Sequence, residues 1–172
     1  MLATLLACGG CKPNASSDDK DRVKVVPLTA NELAAIMNTR VWKFVPPRIE
    51  GAERTDYELM VSLKGSGPRH LLSIGGTSPG VPLTIALRGE HPIGSDKDEK
   101  LSIYLGYDGS NGQTTCENFL RGLGVGWDNN PKIRDDRRIF LLSASKSGAF
   151  SPGDMNGDVV LYLQWEEHRK NQ

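Results

Sequence analysis

Leu101-Ser102-Ile103-Tyr104-Leu105-Gly106-Tyr107 is the stretch on which the fold turns. Large apolar residues occupy every second position, the period that puts alternate side chains on opposite faces of a β-strand. The same period recurs outward along the chain. Val41-Trp42-Lys43-Phe44-Val45 ends at Pro46-Pro47. Tyr57, Leu59, Val61 and Leu63 alternate with Glu58, Met60, Ser62 and Lys64. Leu72 and Ile74 follow, closed by Gly75-Gly76. Leu83, Ile85 and Leu87 alternate with Thr84, Ala86 and Arg88. Phe140, Leu142 and Ala144 share one face of 139–145. Val159, Leu161, Leu163 and Trp165 alternate with Val160, Tyr162 and Gln164. About seven strands result, bounded by Gly, Pro, Asn or Asp. Alternation, rather than continuous apolar runs, predicts antiparallel sheets with one buried and one wet face. The expected fold is mainly β: an antiparallel β-sandwich, jelly-roll-like, or a flattened barrel, with one short N-terminal helix.

That helix is read from Thr29-Ala30-Asn31-Glu32, which has capping-box spacing. Leu33, Ile36 and Met37 form its apolar face, and it should end near Asn38 or Thr39. The stretch 108–136 has turn signals at Asp108-Gly109 and Asn111-Gly112, and a candidate helical turn at 117–121. It carries no convincing strand, so it reads as a long loop of the kind that is usually functional.

The chain has 172 residues, with 21 Lys+Arg against 21 Asp+Glu. A binder that neutralises phosphates carries a basic surplus, so nucleic acid is not an expected partner. Residues 1–22 read as a signal remnant and polar linker, and 23–172 as a single β-sandwich domain.

Leu5-Leu6-Ala7-Cys8 resembles the lipobox of bacterial lipoproteins, Leu-(Ala/Ser/Leu)-(Gly/Ala)-Cys. The resemblance implies lipidation of Cys8, cleavage before it, and a membrane partner reached through a lipid anchor. The implied address is the bacterial cell envelope, periplasmic or surface-exposed. Residues 12–22 are polar and fit a tether. Seven uncharged residues precede Cys8, whereas a signal peptide carries a basic n-region. This leaves two readings: a start upstream of Met1, or a coincidental match. Cys11 and Cys116 could pair in an oxidising envelope. The plainer reading, which we favour, is a half-buried free thiol at Cys116.

Asp154, Asn156 and Asp158 put oxygen side chains at positions 1, 3 and 5 of a tight loop, a spacing suited to calcium. This resembles the opening of a calcium loop of the EF-hand or dockerin kind. Val159 stands where such a loop has Gly, and Trp165 where it has Glu. The alternative is a polar turn with Asn156-Gly157 in a type I′ bend. Residues 138–163, with Leu71-Leu72-Ser73-Ile74-Gly75-Gly76, resemble strands of galactose-binding-like jelly-roll domains, in which such a loop brings calcium and sugar together. Ser143-Ala144-Ser145 replaces the Asn-Asp pair those families carry.

Trp127, beside Asp128-Asn129-Asn130, is a candidate glycan-binding group. An indole covers the apolar face of a pyranose while amides and carboxylates hold its hydroxyls. The alternative is that Trp127 plugs the end of the core, as expected of Trp42 and Trp165. No nucleophile elbow, Walker loop or His-Glu-x-x-His is present, and no catalytic residue is assigned. The functional expectation is an envelope lipoprotein with a β-sandwich binding or structural ectodomain, its partner a glycan or an envelope protein. A calcium-dependent carbohydrate-binding module is the first alternative. A hydrolase accessory domain is the second, and it would need a His or carboxylate pair converging on 108–136.

Overall fold

In the computed structural model, residues 36–46, 52–78, 80–107, 109–134, 137–148 and 156–169 are described. They form ten strands: β1 (Thr39–Phe44), β2 (Ala52–Leu63), β3 (Gly67–Thr77), β4 (Leu83–Arg88), β5 (Lys100–Tyr107), β6 (Ser110–Glu117), β7 (Gly124–Trp127), β8 (Ile133–Arg134), β9 (Arg138–Ser145) and β10 (Val159–Arg169). Sheet A has the order β1-β4-β5-β6. Sheet B has the order β3-β2-β10-β9-β7, with β8 also on β9. All pairings are antiparallel. Neither sheet closes on itself, so the architecture is an open β-sandwich and not a barrel.

The alternating apolar positions meet between the sheets. Leu83, Ile85 and Leu87 of β4 and Leu101, Ile103 and Leu105 of β5 are fully buried. They face Leu59 and Val61 of β2 and Leu161 and Leu163 of β10. Each such side chain contributes about 1.5–3 kcal/mol relative to its exposed state. Trp42 and Trp165 are buried at the margins of the same core, as expected.

Sheet B departs from the expected pattern of one wet face. Phe140, Val160 and Tyr162 are buried on its other side, with Met60 packed against them. The Phe140 and Tyr162 rings lie 5.9 Å apart, and the Arg138 guanidinium sits 5.2 Å from the Tyr162 centroid. A bulge contributes. The pairing steps from Leu161–Leu142 to Tyr162–Phe140, so Leu141 is an extra residue. Leu141 and Leu142 both enter the intersheet core, and Phe140 turns to the opposite face.

The reading of 108–136 as a long loop is corrected: the stretch contains β6, β7 and β8. The inward residues of β6 are small or glycine, and β7 and β8, with Val125 and Trp127 packed on the core, are too short to show the alternation that marks the other strands. The candidate helical turn at 117–121 is a pair of tight turns, closed by Arg121 N–H to Asn118 O and Leu123 N–H to Leu120 O. The type I′ bend at Asn156-Gly157 does not form. Thirteen residues separate β9 from β10, and Gly157 lacks the positive φ that this bend requires.

Of the expected helix, Thr29 to Ala35 lie outside the described residues. Ile36 to Asn38 form a turn. Asn38 has φ +49°, the left-handed conformation common just past a helix end. Its carbonyl accepts from Gly89 N–H at 3.1 Å, and its amide donates to Glu90 O at 2.8 Å.

Candidate functional site

Because Leu83 to Leu87 and Leu101 to Leu105 alternate inward, the residues between them stand on the outer face of sheet A. The register aligns them in three rows across the strands: Thr39, Arg88, Ser102 and Thr115; Val41, Ala86, Tyr104 and Gln113; Lys43, Thr84, Gly106 and Asn111. Rows lie about 7 Å apart and neighbouring strands about 4.8 Å apart. The rows therefore form a broad platform of amides, hydroxyls and two cations around one aromatic ring.

That ring is held low. A Cβ added to Gly106 would collide with the Tyr104 hydroxyl and fall 2.6 Å from ring atoms Cε1 and Cζ. Only glycine two residues along the strand lets the phenol lie over the sheet instead of standing off it. Two depressions flank Tyr104. One, of about 930 Å³, is lined by Arg88, Glu90, Ser102, Gln113 and Thr115, with Ile36 and Met37 as an exposed apolar lip. The other, of about 280 Å³, includes Lys43, Thr84, Tyr104, Gly106 and Asn111.

The wall of the larger depression is the 89–99 loop, organised around Asp98. This carboxylate is 4% exposed. His91 N–H donates to both of its oxygens at 3.0 Å, and His91 Nδ1 lies 2.5 Å from Oδ1. Burial pushes the Asp98 carboxyl up. The hydrogen bonds from the His91 N–H and imidazole and from the Glu90 N–H outweigh it and hold the pKa below its ordinary value. The 118–122 segment braces the loop: Asn118 Nδ2 donates to Asp98 O at 3.1 Å, Arg121 Nε to Asp96 O at 2.7 Å and Gly122 N–H to Gly94 O at 3.1 Å. A His–Asp pair thus converges on part of the 108–136 stretch. Among the described residues, no hydroxyl or thiol is hydrogen-bonded to His91, so the pair lacks the adjacent nucleophile of a catalytic triad.

The fold brings the residues singled out around Trp127 together, on the flank between β1 and β7. The Trp127 ring lies 5.7 Å from Trp42, and the Arg40 guanidinium sits 5.5 Å from Trp127 and 5.9 Å from Trp42. Trp42 Nε1 donates to Asp128 O at 2.9 Å, and Arg40 donates to the Asn129 side-chain oxygen. Asn130 N–H closes a turn on Asp128 Oδ1 at 2.9 Å, and Asn130 itself is exposed. Trp127 is half-buried, with Trp42 and Arg40 packed against its indole.

Of the candidate calcium ligands, Asp154 lies outside the described residues. Asn156 is exposed at a turn. Asp158 is engaged with protein groups. Its Oδ2 accepts from Ser145 Oγ at 3.0 Å and Lys146 N–H at 3.1 Å, and its Oδ1 faces Lys64 Nζ at 3.3 Å. These partners, the Lys146 N–H first, hold its pKa below the ordinary value. A cation approaching Asp158 would compete with Lys64 Nζ on Oδ1. Among the described residues, no group of three or more His, Cys, Asp or Glu side chains is disposed to hold a metal ion. Cys8 and Cys11 lie outside the described residues. Cys116 is half-buried and free.

Sequence reading missed the Tyr104 platform and both Asp–His pairs, the second being Asp56 with His168 Nε2 at 2.7 Å. The one local signal for the platform was an aromatic residue two positions before a glycine on the polar side of a strand. Comparison with protein-family models, with curated proteins and with solved structures finds no match to this chain.

Proposed function

We propose that this chain is a cell-envelope lipoprotein, anchored through a lipid on Cys8, whose β-sandwich holds a glycan across the outer face of sheet A. The observation that carries this reading is the Tyr104 ring laid over Gly106 between two polar depressions. A low-lying ring offers an apolar surface to a pyranose. The Gln113 and Asn111 amides, the Ser102, Thr84 and Thr115 hydroxyls and the Arg88 guanidinium supply hydrogen bonds at the spacing of the rows. No calcium ion is needed for this contact. The anchor rests on Leu5-Leu6-Ala7-Cys8 and on the polar stretch 12–22 that follows it.

Affinity electrophoresis through gels containing envelope polysaccharides tests the binding. The full chain should be retarded by at least one polymer. Tyr104→Ala, with an unchanged circular dichroism spectrum, should lose roughly tenfold in affinity, the loss of about 1.4 kcal/mol expected for a stacked ring. Passage without retardation through every polymer, or equal retardation of Tyr104→Ala, overturns the reading. Labelling cells with a fatty-acid precursor, using the full upstream reading frame, tests the anchor. Label should appear on the chain and disappear in Cys8→Ser.

A further inference from the structure

The two sheets present four edges, and three carry devices that stop another strand from adding to them. The β1 edge carries Arg40 and Lys43. The β3 edge carries Pro68 and Arg69, and its pairing with β2 is broken by two register shifts. On the remaining side of sheet B, β7 and β8 are only four and two residues long. Charges, proline, irregular register and shortness are the means by which natural sheets avoid edge-to-edge pairing.

β6 has none of them. Its eight residues, Ser110–Glu117, pair with β5 in unbroken register. They include no proline, lysine or arginine, and their single charge, Glu117, is terminal. Among the described residues, no strand pairs with the other side of β6. Tyr107 and Ser110 close a two-residue hairpin, which makes them a hydrogen-bonded pair. Pairs then alternate along an antiparallel ladder. Asn111, Gln113 and Thr115 therefore direct their N–H and C=O groups away from β5, toward solvent.

We propose that β6 is a docking edge for an extended segment of another polypeptide, which adds to sheet A as a further strand. The side chains beside the edge specify its chemistry. The inward residues of β6 are Gly112, Thr114 and Cys116, small and only half-buried. Leu72 of β3 lies 3.5 Å from where a Gly112 Cβ would stand, and Leu71 is also only partly covered. A strand with large apolar side chains at alternate positions would cover this flank, with polar side chains on its other face. A second copy of β6 fits less well, because it would bring only Gly, Thr and Cys to the gap. With one terminal charge on β6, the pairing buries no uncompensated ion. This inference is independent of the glycan reading, which concerns the face of the sheet and not its edge.

The probe is a fluorescent peptide of alternating threonine and isoleucine flanked by lysines, titrated into the full chain and followed by anisotropy. Saturable binding is expected. N-methylation of the peptide amides along one edge should weaken it by roughly tenfold or more, because main-chain hydrogen bonds carry the affinity in this mode. Gln113→Pro removes an N–H that β5 does not use and should abolish binding, while Gln113→Ala retains it. If Gln113→Pro fails to fold, the methylated peptide decides. Absence of binding, equal binding of the methylated peptide, or full binding by a folded Gln113→Pro overturns the proposal. A concentration-dependent dimer that Gln113→Pro dissociates also overturns it, assigning the edge to a second copy.

Discussion

The carboxylate of Asp98 is bound by His91 twice, through the backbone N–H to both oxygens and through Nδ1 at 2.5 Å, inside a loop that leaves the aspartate almost wholly buried. Removing the charge removes the centre of that loop. Asp98→Ala should destabilise the fold by about 1–3 kcal/mol, the usual cost of leaving buried donors unsatisfied. Urea unfolding measures it. A loss below a few tenths of a kcal/mol would mean that the loop closes without its carboxylate.

The same carboxylate sets a pH dependence. Asp98, Asp56 and Asp158 are all held below the ordinary value of 3.8. For Asp56 the leading cause is the Gly76 N–H, which donates at 2.8 Å. Near pH 4 the native chain therefore binds fewer protons than the unfolded chain, and stability rises with pH. The contribution is complete above the unfolded value and is lost as pH falls through the lower folded values. The aspartate contribution to the unfolding free energy should therefore be lost as pH falls below about 4. The loss should be smaller in Asp98→Ala.

Gly106→Ala separates the platform from the fold. The atoms nearest to its Cβ all belong to the far end of the Tyr104 side chain, which can swing away. Thermal stability should change little, while glycan affinity falls nearly as far as in Tyr104→Ala. Unchanged affinity in a folded Gly106→Ala would detach binding from the low-lying ring.

Asp158 predicts the response to calcium. With Ser145, Lys146 and Lys64 already on its carboxylate, millimolar calcium or a chelator should leave the melting temperature unchanged. A rise on adding calcium that disappears in Asp154→Ala would instead support the ligand set Asp154, Asn156 and Asp158.

Truncation distinguishes a sheet buried on both sides from one with a wet face. Leu161→Ala, in the intersheet core, should cost about 2–5 kcal/mol. Phe140→Ala, on the opposite face of sheet B, should cost about 3–5 kcal/mol and not the near-zero expected of a solvated position. Differential scanning calorimetry on the two variants checks both.

The period-two pattern was enough to establish an antiparallel β-sandwich, because burial against a second sheet demands one apolar side chain in two. Leu83 to Leu87, Leu101 to Leu105 and Leu59 to Val61 occupy the core that this pattern required. The pattern could not reveal β6 or β7. An edge strand beside small inward groups needs no large apolar residues, so Gly112, Thr114 and Cys116 read as loop. The bulge at Leu141 was also hidden, since one extra residue reverses a strand's faces without changing its composition. Tyr104 and Gly106 were visible as outward residues, but their neighbours Gln113, Arg88 and Thr84 come from strands distant in sequence. Asp56 and His168, 112 positions apart, are joined only by the register of β2 on β10. Local sequence sets which side of a strand is apolar. Only strand order and register decide which polar groups share a surface, because hydrogen bonding between strands aligns residues that the chain itself keeps far apart.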